Sequence, residues 1–355
     1  MIVIDAHLDL AWNALGWNRD LTATIREIRQ SEEHRKEEKA RARNTVSFPA
    51  MREGKVVVSL ATVLARAGGL RDDRLDYRTQ EIAYAAAQGQ LAYYRVMESE
   101  GQMRMIRDWA SFENHLDQWK NSGDKPAPLG FILAMEGADP IVSPAQLTDW
   151  WNDGLRVIGL AHYGLGIYAH GTGSSGGLTP RGVELLKAMD DVGMVLDATH
   201  LADESFWQAV DQFKGPVLAS HNNCRALVPA DRQFSDEQIR YLIGRDSVIG
   251  AAFDDWMLYP GWVRGKTSSS LVTLDAVVDH IDHVCQLAGN TRHSAIGSDL
   301  DGGFGTEQSP SDLDTIADLQ KIPGLLRKRG YKDSDVEAIM HGNWIRFFKA
   351  AWNRH

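Results

Sequence analysis

The sequence predicts an α/β protein that folds as a single (β/α)8 TIM barrel over residues 1–355. Short runs rich in β-branched residues alternate along the chain with longer stretches of helical period, which is the pattern of repeated βαβ units. No linker rich in Pro, Ser and Gly divides these runs into two groups, and this favours one closed barrel over two open sheets. The eight predicted strands are Ile2–Asp5, Val56–Val63, Gly130–Met135, Val157–Ala161, Met194–Ala198, Val217–Ser220, Val248–Phe253 and Ser294–Ser298.

The composition limits the partners and the compartment. The formal net charge of −10 argues against nucleic acid or an anionic membrane as the main partner. Cys224 and Cys285 are the only cysteines, too few for a disulfide framework in a chain of this length. The N-terminus lacks a basic region, and no apolar run approaches the roughly 20 residues of a membrane span. We therefore expect a cytoplasmic protein, while a homodimer stays open.

A charged helical insertion is predicted between the first two strands, around residues 18–50. Its segment Arg26–Asn44 is crowded with Arg, Lys and Glu. The pairs Glu32 with Lys36 and Glu37 with Arg41 have the i,i+4 spacing of ion pairs on a helix surface. We interpret the segment as a solvated helix rather than a binding tail.

Three further segments have recognisable patterns. Tyr77–Glu98 predicts a barrel helix that packs on the strands. Ser334-x-x-Glu337 has capping-box spacing and predicts the start of an amphipathic closing helix. Gly171–Gly177 lacks the Lys of a phosphate-binding loop, so a mobile loop beside the barrel mouth is predicted. The predicted packing face of the helix in Tyr77–Glu98 consists of Ile82, Ala85, Ala86, Tyr93 and Met97.

Side chains that can bind metal ions stand at the ends of six apolar runs. In a parallel barrel the carboxyl ends of all strands open on the same face, and such folds carry out their chemistry there. We therefore expect these side chains to converge on one metal centre. They are His7, Asp9, Glu136, His162, His200, His221 and Asp299.

The spacing of these residues predicts sites for two ions. His7 and Asp9 lie two residues apart on a strand, so their side chains point the same way and can bind one divalent ion. His200 and His221 end neighbouring strands and can share a second ion. Glu136 is predicted to be buried, needs a cation there, and would bridge two ions ~3.5–4 Å apart.

The remaining polar residues have predicted catalytic roles, and an alternative exists at two positions. Asp299 is the candidate general base, which would take a proton from the nucleophile and pass it to the leaving group. Asp301 nearby would instead serve ordinary turn chemistry. His162 is placed to donate to an oxyanion. A salt bridge between Glu136 and Arg156 is the alternative to a metal at Glu136.

The combined motifs resemble the membrane (renal) dipeptidase family of the amidohydrolase superfamily, as a bacterial-type member. The resemblance runs from about Ile4 to about Trp352. The motifs are His7-x-Asp9, Met-Glu136-Gly, Asp-Ala-Thr-His200, Ala-Ser-His221-Asn, Gly-Ser-Asp299-Leu-Asp-Gly and Gly342-Asn343.

The resemblance implies roles for the same residues. His7 and Asp9 would hold one zinc ion, His200 and His221 the other, and Glu136 would bridge both. Asp299 would shuttle the proton and His162 would polarise the scissile carbonyl.

The resemblance also concerns the substrate-binding residues. Arg232 matches the arginine that pairs with the substrate's C-terminal carboxylate, a contact that suits a guanidinium fork; an exposed surface arginine is the alternative. The chain departs from the family pattern at Gly166, where an asparagine is common, and around Asp254. We expect Asp254 to border the substrate, so specificity is less certain to carry over than metal chemistry.

These observations predict a zinc-dependent dipeptidase that hydrolyses short dipeptides, L-Xaa-D-Xaa substrates included, through a hydroxide bridging two metal ions. The first alternative is an amidohydrolase acting on N-acyl amino acids or cyclic amides, which shares the metals and differs in the pocket. The second alternative is a catalytically silent metal-binding barrel.

Overall fold

Eight parallel strands form the barrel in the computed structural model, which describes residues 1–68, 74–123 and 127–353. Each strand pairs with the next in chain order, the last pairs with the first, and a bridge between Ala219 and Ile249 links the sixth to the seventh. The predicted fold class is therefore confirmed. The strands are β1 Val3–Leu8, β2 Val56–Val63, β3 Leu129–Met135, β4 Leu155–Gly159, β5 Val195–Asp197, β6 Val217–Leu218, β7 Ile249–Ala251 and β8 Ser294–Ile296.

All eight predicted strands are present; β2 has the predicted bounds and the other seven have shifted ends. β1 continues to Leu8, so His7 lies within the strand, whereas β5 to β8 contain only two or three residues each. Three short strands were not predicted. They are Arg66–Ala67, Asp76–Tyr77 and Met103–Met105, of which the last pairs with β3.

Helices surround the barrel, and the closing helix covers one end of it. Asn343 donates from Nδ2 to the carbonyl oxygens of Thr291 and Ser294 at the start of β8. Trp344 belongs to the same buried apolar cluster as Ile4 of β1. The carboxyl ends of the strands are thus left as the end that can hold a site. The α-helices are Leu10–Gly16, Ile25–Glu32, Phe48–Glu53, Gln80–Ser99, Trp109–Asn121, Leu147–Asp153, Pro180–Val192, Asp203–Gln212, Asp236–Gly244, Asp255–Leu258, Leu274–Ala288, Ile322–Lys328, Asp333–Glu337 and Asn343–Trp352.

The charged insertion differs from the predicted solvated helix. Its α-helix spans Ile25–Glu32, a 3-10 turn follows over Glu33–Arg35, and the chain then continues in turns. Glu32 does not pair with Lys36 but is buried, with ion pairs of 2.9 Å to Arg19 and 2.8 Å to Arg41. A buried carboxylate requires partners of this kind, and surface spacing alone does not reveal them.

The packing face predicted for helix Gln80–Ser99 is confirmed in part. Met97 is buried, and Ala86 and Tyr93 are partly buried and pack against the core. Ile82 is 47% exposed and Ala85 is exposed as well, whereas the buried face also includes two polar side chains. The Gln90 side-chain amide accepts from the Leu64 N–H and donates to the Leu64 carbonyl oxygen. Tyr94 donates to the carbonyl oxygen of Thr62 at 2.8 Å. These hydrogen bonds join the helix to a distant backbone segment, and apolar periodicity does not register them.

The C-terminal capping box is also displaced from its predicted position. The helix begins at Asp333 with Lys332 as N-cap, and Asp335 accepts from the Lys332 backbone N–H at 3.1 Å. Ser334 therefore lies inside the helix. Within the described ranges, no helix is long and apolar enough to cross a membrane.

Candidate metal centre

The seven predicted metal-capable side chains lie together at the carboxyl ends of the strands. His7 is in β1, Asp9 follows that strand, and Glu136 follows β3 directly. The other four each occupy the third residue past their strand. They are His162 after β4, His200 after β5, His221 after β6 and Asp299 after β8.

The Glu136 carboxylate stands at the centre of the group. Its Oε1 lies 3.4 Å from His7 Nε2, 3.7 Å from His162 Nε2, 3.2 Å from His200 Nε2 and 3.4 Å from His221 Nε2. Three sets of potential ligand atoms therefore form within this one group. The sets are His7–Asp9–Glu136, Glu136–His162–His200 and His7–His221–Asp299.

The rings of His200 and His221 are each held by a hydroxyl group that contacts the Nδ1 atom. Nδ1 of His200 is 3.0 Å from Thr172 Oγ1, and Nδ1 of His221 is 2.9 Å from Ser220 Oγ. Their Nε2 atoms consequently face each other at 3.2 Å. Hydroxyl contacts of this kind hold the ring of a metal-binding histidine in place. Thr172 belongs to the glycine-rich loop Gly171–Gly177, so that loop supports the site.

The electrostatics of the histidines suit metal binding. Burial lowers the pKa of His200 and of His221 well below the usual value, which keeps both rings in the neutral form that binds metals. Burial also disfavours the charged form of His7, but the carboxylates of Glu136 and Asp9 outweigh it and raise the pKa of His7. The buried His7 Nε2 has no hydrogen-bond partner among the described residues. A free nitrogen facing carboxylates fits a divalent ion.

Two buried carboxylates that the sequence analysis missed brace the strand ends. Asp5 accepts from the backbone N–H groups of His7 at 3.2 Å and Ser298 at 2.8 Å. Asp197 accepts from the N–H groups of Thr199 and Ser220, both at 3.0 Å. Each tie joins two neighbouring strand ends and so fixes the metal-capable residues that follow. Apolar runs ending in Asp, such as IVID and VLD, were the available signal.

Asp299 lies on a tightly constrained turn. Its φ is +58° and that of Asp301 is +63°, both in the left-handed region that non-glycine residues rarely occupy. A Cβ on Gly302 would overlap the Asp299 carboxylate, so only glycine fits there. Burial raises the pKa of Asp299 well above its usual value, and this lets the carboxyl hold a proton.

The surroundings of His162 suit the role predicted for it, and the alternative partner of Glu136 lies elsewhere. Burial lowers the pKa of His162 well below its usual value, so its ring is neutral and can donate a hydrogen bond. Arg156 forms no ion pair with Glu136; its guanidinium donates to the carbonyl oxygens of Arg107, Trp151 and Leu155.

The two predicted substrate-binding residues also reach the site. Arg232 is buried, so the alternative of an exposed surface arginine is wrong, and it donates to Asn222 Oδ1 and to the His221 carbonyl oxygen. Asp254, the third residue past β7, accepts from Gln308 Nε2 at 2.9 Å and Trp256 Nε1 at 2.8 Å. Burial raises the pKa of Asp254 to about 6.

A cavity of about 180 Å³ opens at this end of the barrel. Several charged residues in the wall of this cavity were not predicted. Arg66 is one of them, although it is the third residue past β2, just as His162, His200 and His221 are past their strands. That shared position was a signal the sequence analysis did not use. The residues around the cavity include Asp9, Trp12, Lys39, Arg66, Arg74, Glu136, His162, Tyr163, His200, Arg232, Asp254, Met257 and Asp299.

Comparison with known families decides the assignment. The sequence model of the family described as Membrane dipeptidase (Peptidase family M19) matches residues 1–354. The chain belongs to the membrane dipeptidase family. The resemblance drawn from the motifs is therefore confirmed.

Curated relatives of the chain include dipeptidases. The chain is 28% identical over 235 residues to an uncharacterized protein in the pqqA 5′ region of Klebsiella pneumoniae, covering 64% of this chain and 83% of that protein. It is 29% identical over 223 residues to the dipeptidase verJ of Clonostachys rogersoniana, covering 61% of this chain and 54% of that protein. The alignments thus span about half the length of verJ and of an uncharacterized dipeptidase of Schizosaccharomyces pombe.

Two crystal structures support the fold of this membrane dipeptidase family member. A metallo peptidase from Rhodobacter sphaeroides, liganded with a phosphinate mimic of the dipeptide L-Ala-D-Ala, has a TM-score of 0.78 and 20% identity over 99% of both chains. The probable dipeptidase PvdM from Pseudomonas aeruginosa has a TM-score of 0.80 and 17% identity, covering 100% of this chain and 96% of that one. At these identities the likeness concerns the fold alone.

The two departures from the membrane dipeptidase pattern occupy different places. Gly166 lines a separate cavity of about 150 Å³ on the Asp139 side of His162, and a Cβ on it would lie 3.1 Å from Asp139 Oδ1. Asp254 borders the main cavity. A change at Asp254 therefore bears on substrate contacts more directly than one at Gly166.

Proposed function

We propose that this chain is a metal-dependent dipeptidase that hydrolyses the amide bond of a free dipeptide. One observation carries the proposal: four imidazole Nε2 atoms lie within 3.2 to 3.7 Å of one buried Glu136 oxygen, beside a small cavity. Burying this many donors and carboxylates together is costly unless cations compensate. Mixed imidazole and carboxylate ligands suit Zn²⁺, which we propose as the native metal.

We assign the ligands of the two ions from the contacts within the group. His7 and Asp9, 3.6 Å apart, would hold one ion, and His200 and His221 the other, with Glu136 between them. When bound, two divalent ions would supply Lewis-acid polarisation of the scissile carbonyl and an attacking hydroxide at neutral pH.

The protein's own groups would do the rest of the chemistry. The neutral His162 ring would donate a hydrogen bond to the oxygen of the carbonyl under attack, where negative charge develops. Asp299, whose raised pKa lets it carry a proton, would deliver that proton to the leaving amine. The turn that holds Asp299 keeps its carboxylate 3.8 Å from His7 Nε2 and therefore beside the reacting centre.

The cavity and its charges favour a dipeptide with free ends. Its volume of about 180 Å³ is below the ~300–1,000 Å³ of common small-molecule pockets, which favours a short substrate. The Arg232 guanidinium, whose partners are neutral oxygens, would pair with the C-terminal carboxylate of the substrate. Asp254 would contact the substrate across the cavity. An L-Xaa-D-Xaa substrate belongs to the proposal because the structurally similar R. sphaeroides peptidase binds a mimic of L-Ala-D-Ala.

We also propose a cytoplasmic location, since Cys224 and Cys285 are buried free thiols that need no oxidising compartment.

The direct test is hydrolysis of the four Ala-Ala stereoisomers by metal-reconstituted protein. We expect turnover of at least one isomer, with the L,L to L,D ratio defining the stereochemical preference. Hydrolysis of N-acyl amino acids with no turnover of any dipeptide would contradict the dipeptidase proposal and favour the alternative amidohydrolase reaction. Full metal occupancy without turnover in a broad amide panel would favour the silent barrel.

A further inference from the structure

The wall of the cavity carries more positive charge than a simple dipeptide uses. Arg66 is neutralised by Asp76 through two hydrogen bonds, and the Arg74 guanidinium stacks 3.9 Å from the centre of the Trp17 ring. Arg232 is taken by the substrate carboxylate under the proposed function. Lys39 is the cation that this function leaves without a role.

Lys39 reaches the cavity from the charged insertion. Within the described residues its ammonium takes part in no hydrogen bond and no ion pair within 4 Å, unlike Lys36 in the same segment, which pairs with Glu33 at 2.7 Å. The carboxylates of Asp254 and Glu307 are close enough to attract it, but each has other donors. A surface lysine that points over a polar cavity without a direct partner is available to a ligand.

The position of Lys39 indicates which part of a substrate it would meet. A Cβ built on Gly303 would lie 3.8 Å from Lys39 Nζ, so the ammonium stands over the glycine turn that follows Asp299. Asp299 is the group that would protonate the leaving amine, and the leaving amine belongs to the C-terminal residue of the substrate. Lys39 therefore lies on the side of the cavity where that residue would sit.

We propose that the enzyme prefers dipeptides whose C-terminal residue has an acidic side chain, and that Lys39 selects this carboxylate. The inference rests on the proposed dipeptidase function. A side-chain carboxylate would complement the Lys39 charge, while Arg232 pairs with the main-chain carboxylate. Such a substrate carries one negative charge more than Ala-Ala, and this charge would pair with Lys39.

The test compares substrates of nearly equal shape that differ in charge. In the C-terminal configuration that the Ala-Ala set selects, kcat/KM is measured for Ala-Glu and for Ala-Gln at low and high salt. We expect Ala-Glu to be preferred at least about fivefold, with the ratio decreasing as salt screens the Lys39 charge. Equal values for the two substrates would overturn the proposal. A matching preference for Glu-Ala over Gln-Ala with none at the C-terminal position would overturn the placement of Lys39.

Variants separate Lys39 from general electrostatics. Lys39→Met should bring the Glu-to-Gln ratio close to one, and Lys39→Glu should invert it. Lys36→Met removes the same charge from the same segment away from the cavity and should leave the ratio unchanged. An unchanged ratio in Lys39→Met would refute the role of this residue. If no dipeptide at all is hydrolysed, Ala-Ala included, the proposed function itself fails, which distinguishes that outcome from equal turnover of Ala-Glu and Ala-Gln.

Discussion

Asp301 anchors the turn that presents Asp299, and its removal gives the most informative stability prediction. Its carboxylate accepts from the Thr45 N–H at 2.7 Å, the Thr45 hydroxyl at 2.8 Å and the Val46 N–H at 3.1 Å, and lies 3.5 Å from Arg19. The residue is almost fully buried. The turn is thereby tied to the charged insertion between β1 and β2.

The magnitude follows from these contacts. Asp301→Ala leaves the three Thr45 and Val46 donors without their acceptor, at roughly 1 kcal/mol or more for each buried donor, so we expect a loss of about 3–5 kcal/mol of unfolding free energy. Arg19 loses one ion pair but keeps its bond to Glu32. Burial raises the pKa of Asp301 in spite of Arg19, so the neutral amide of Asp301→Asn should cost only the lost acceptor, about 1–2 kcal/mol. Asn also tolerates the left-handed backbone.

The assay is urea unfolding of the metal-loaded protein, with kcat and KM measured on the same samples. A loosened turn should lower kcat more than it raises KM, because Asp299 acts only in proton transfer. Asp314→Ala is the matched control, since Asp314 pairs with Arg29 at a side chain that is 70% exposed and should cost at most about 1 kcal/mol. If Asp301→Ala and Asp314→Ala have equal stability and wild-type kcat, the anchoring argument is wrong.

Three further predictions concern the catalytic acid, the carboxylate contact and pH. Asp299→Asn should lower kcat by about 10²–10⁴-fold with metal content retained, and unchanged turnover would exclude it as the proton donor. Arg232→Met should raise KM for Ala-Ala far more than it lowers kcat, as steady-state kinetics would show, whereas an unchanged KM would place the substrate carboxylate elsewhere. Burial, and then the charge of Asp254, raise the pKa of Asp255 to about 8, and neither of its carboxylate oxygens has a hydrogen bond within the described ranges. Since this folded-state pKa is above the unfolded one, the stabilising contribution of Asp255 is full below about pH 4 and is lost as the pH rises through 8. Asp255→Asn should therefore gain stability relative to wild type between pH 5 and pH 9, by on the order of 2–4 kcal/mol in urea unfolding, and a pH-independent difference would contradict the pKa.

The strands and the convergence of the polar residues were predictable because both follow from local sequence. A parallel strand buried on both faces is a short apolar run in the sequence. Because the strands of the barrel are parallel, the residues that follow them all lie at the same end of the barrel. This reasoning placed His200 and His221 on neighbouring strand ends. It could have placed Arg66 as well, because Arg66 occupies the same position past β2.

Buried polar residues limited what the sequence could predict. Glu32 reads as part of a charged surface helix but is enclosed by Arg19 and Arg41, and Gln90 faces inward to bond the Leu64 backbone. In each case the partner is distant in sequence or off the helical period, so neither i,i+4 spacing nor hydrophobic periodicity registers it. The same limit hid Asp301, whose partners Thr45 and Val46 lie on the insertion.

We propose that the residues around Glu136 hold two ions that drive dipeptide hydrolysis. Titration of metal-free protein with Zn²⁺, with L-Ala-D-Ala turnover followed at each addition, tests it most directly. We predict that activity rises to a plateau at about two equivalents per chain. A plateau at one equivalent, or the same turnover in the metal-free protein, would contradict the proposed two-ion site.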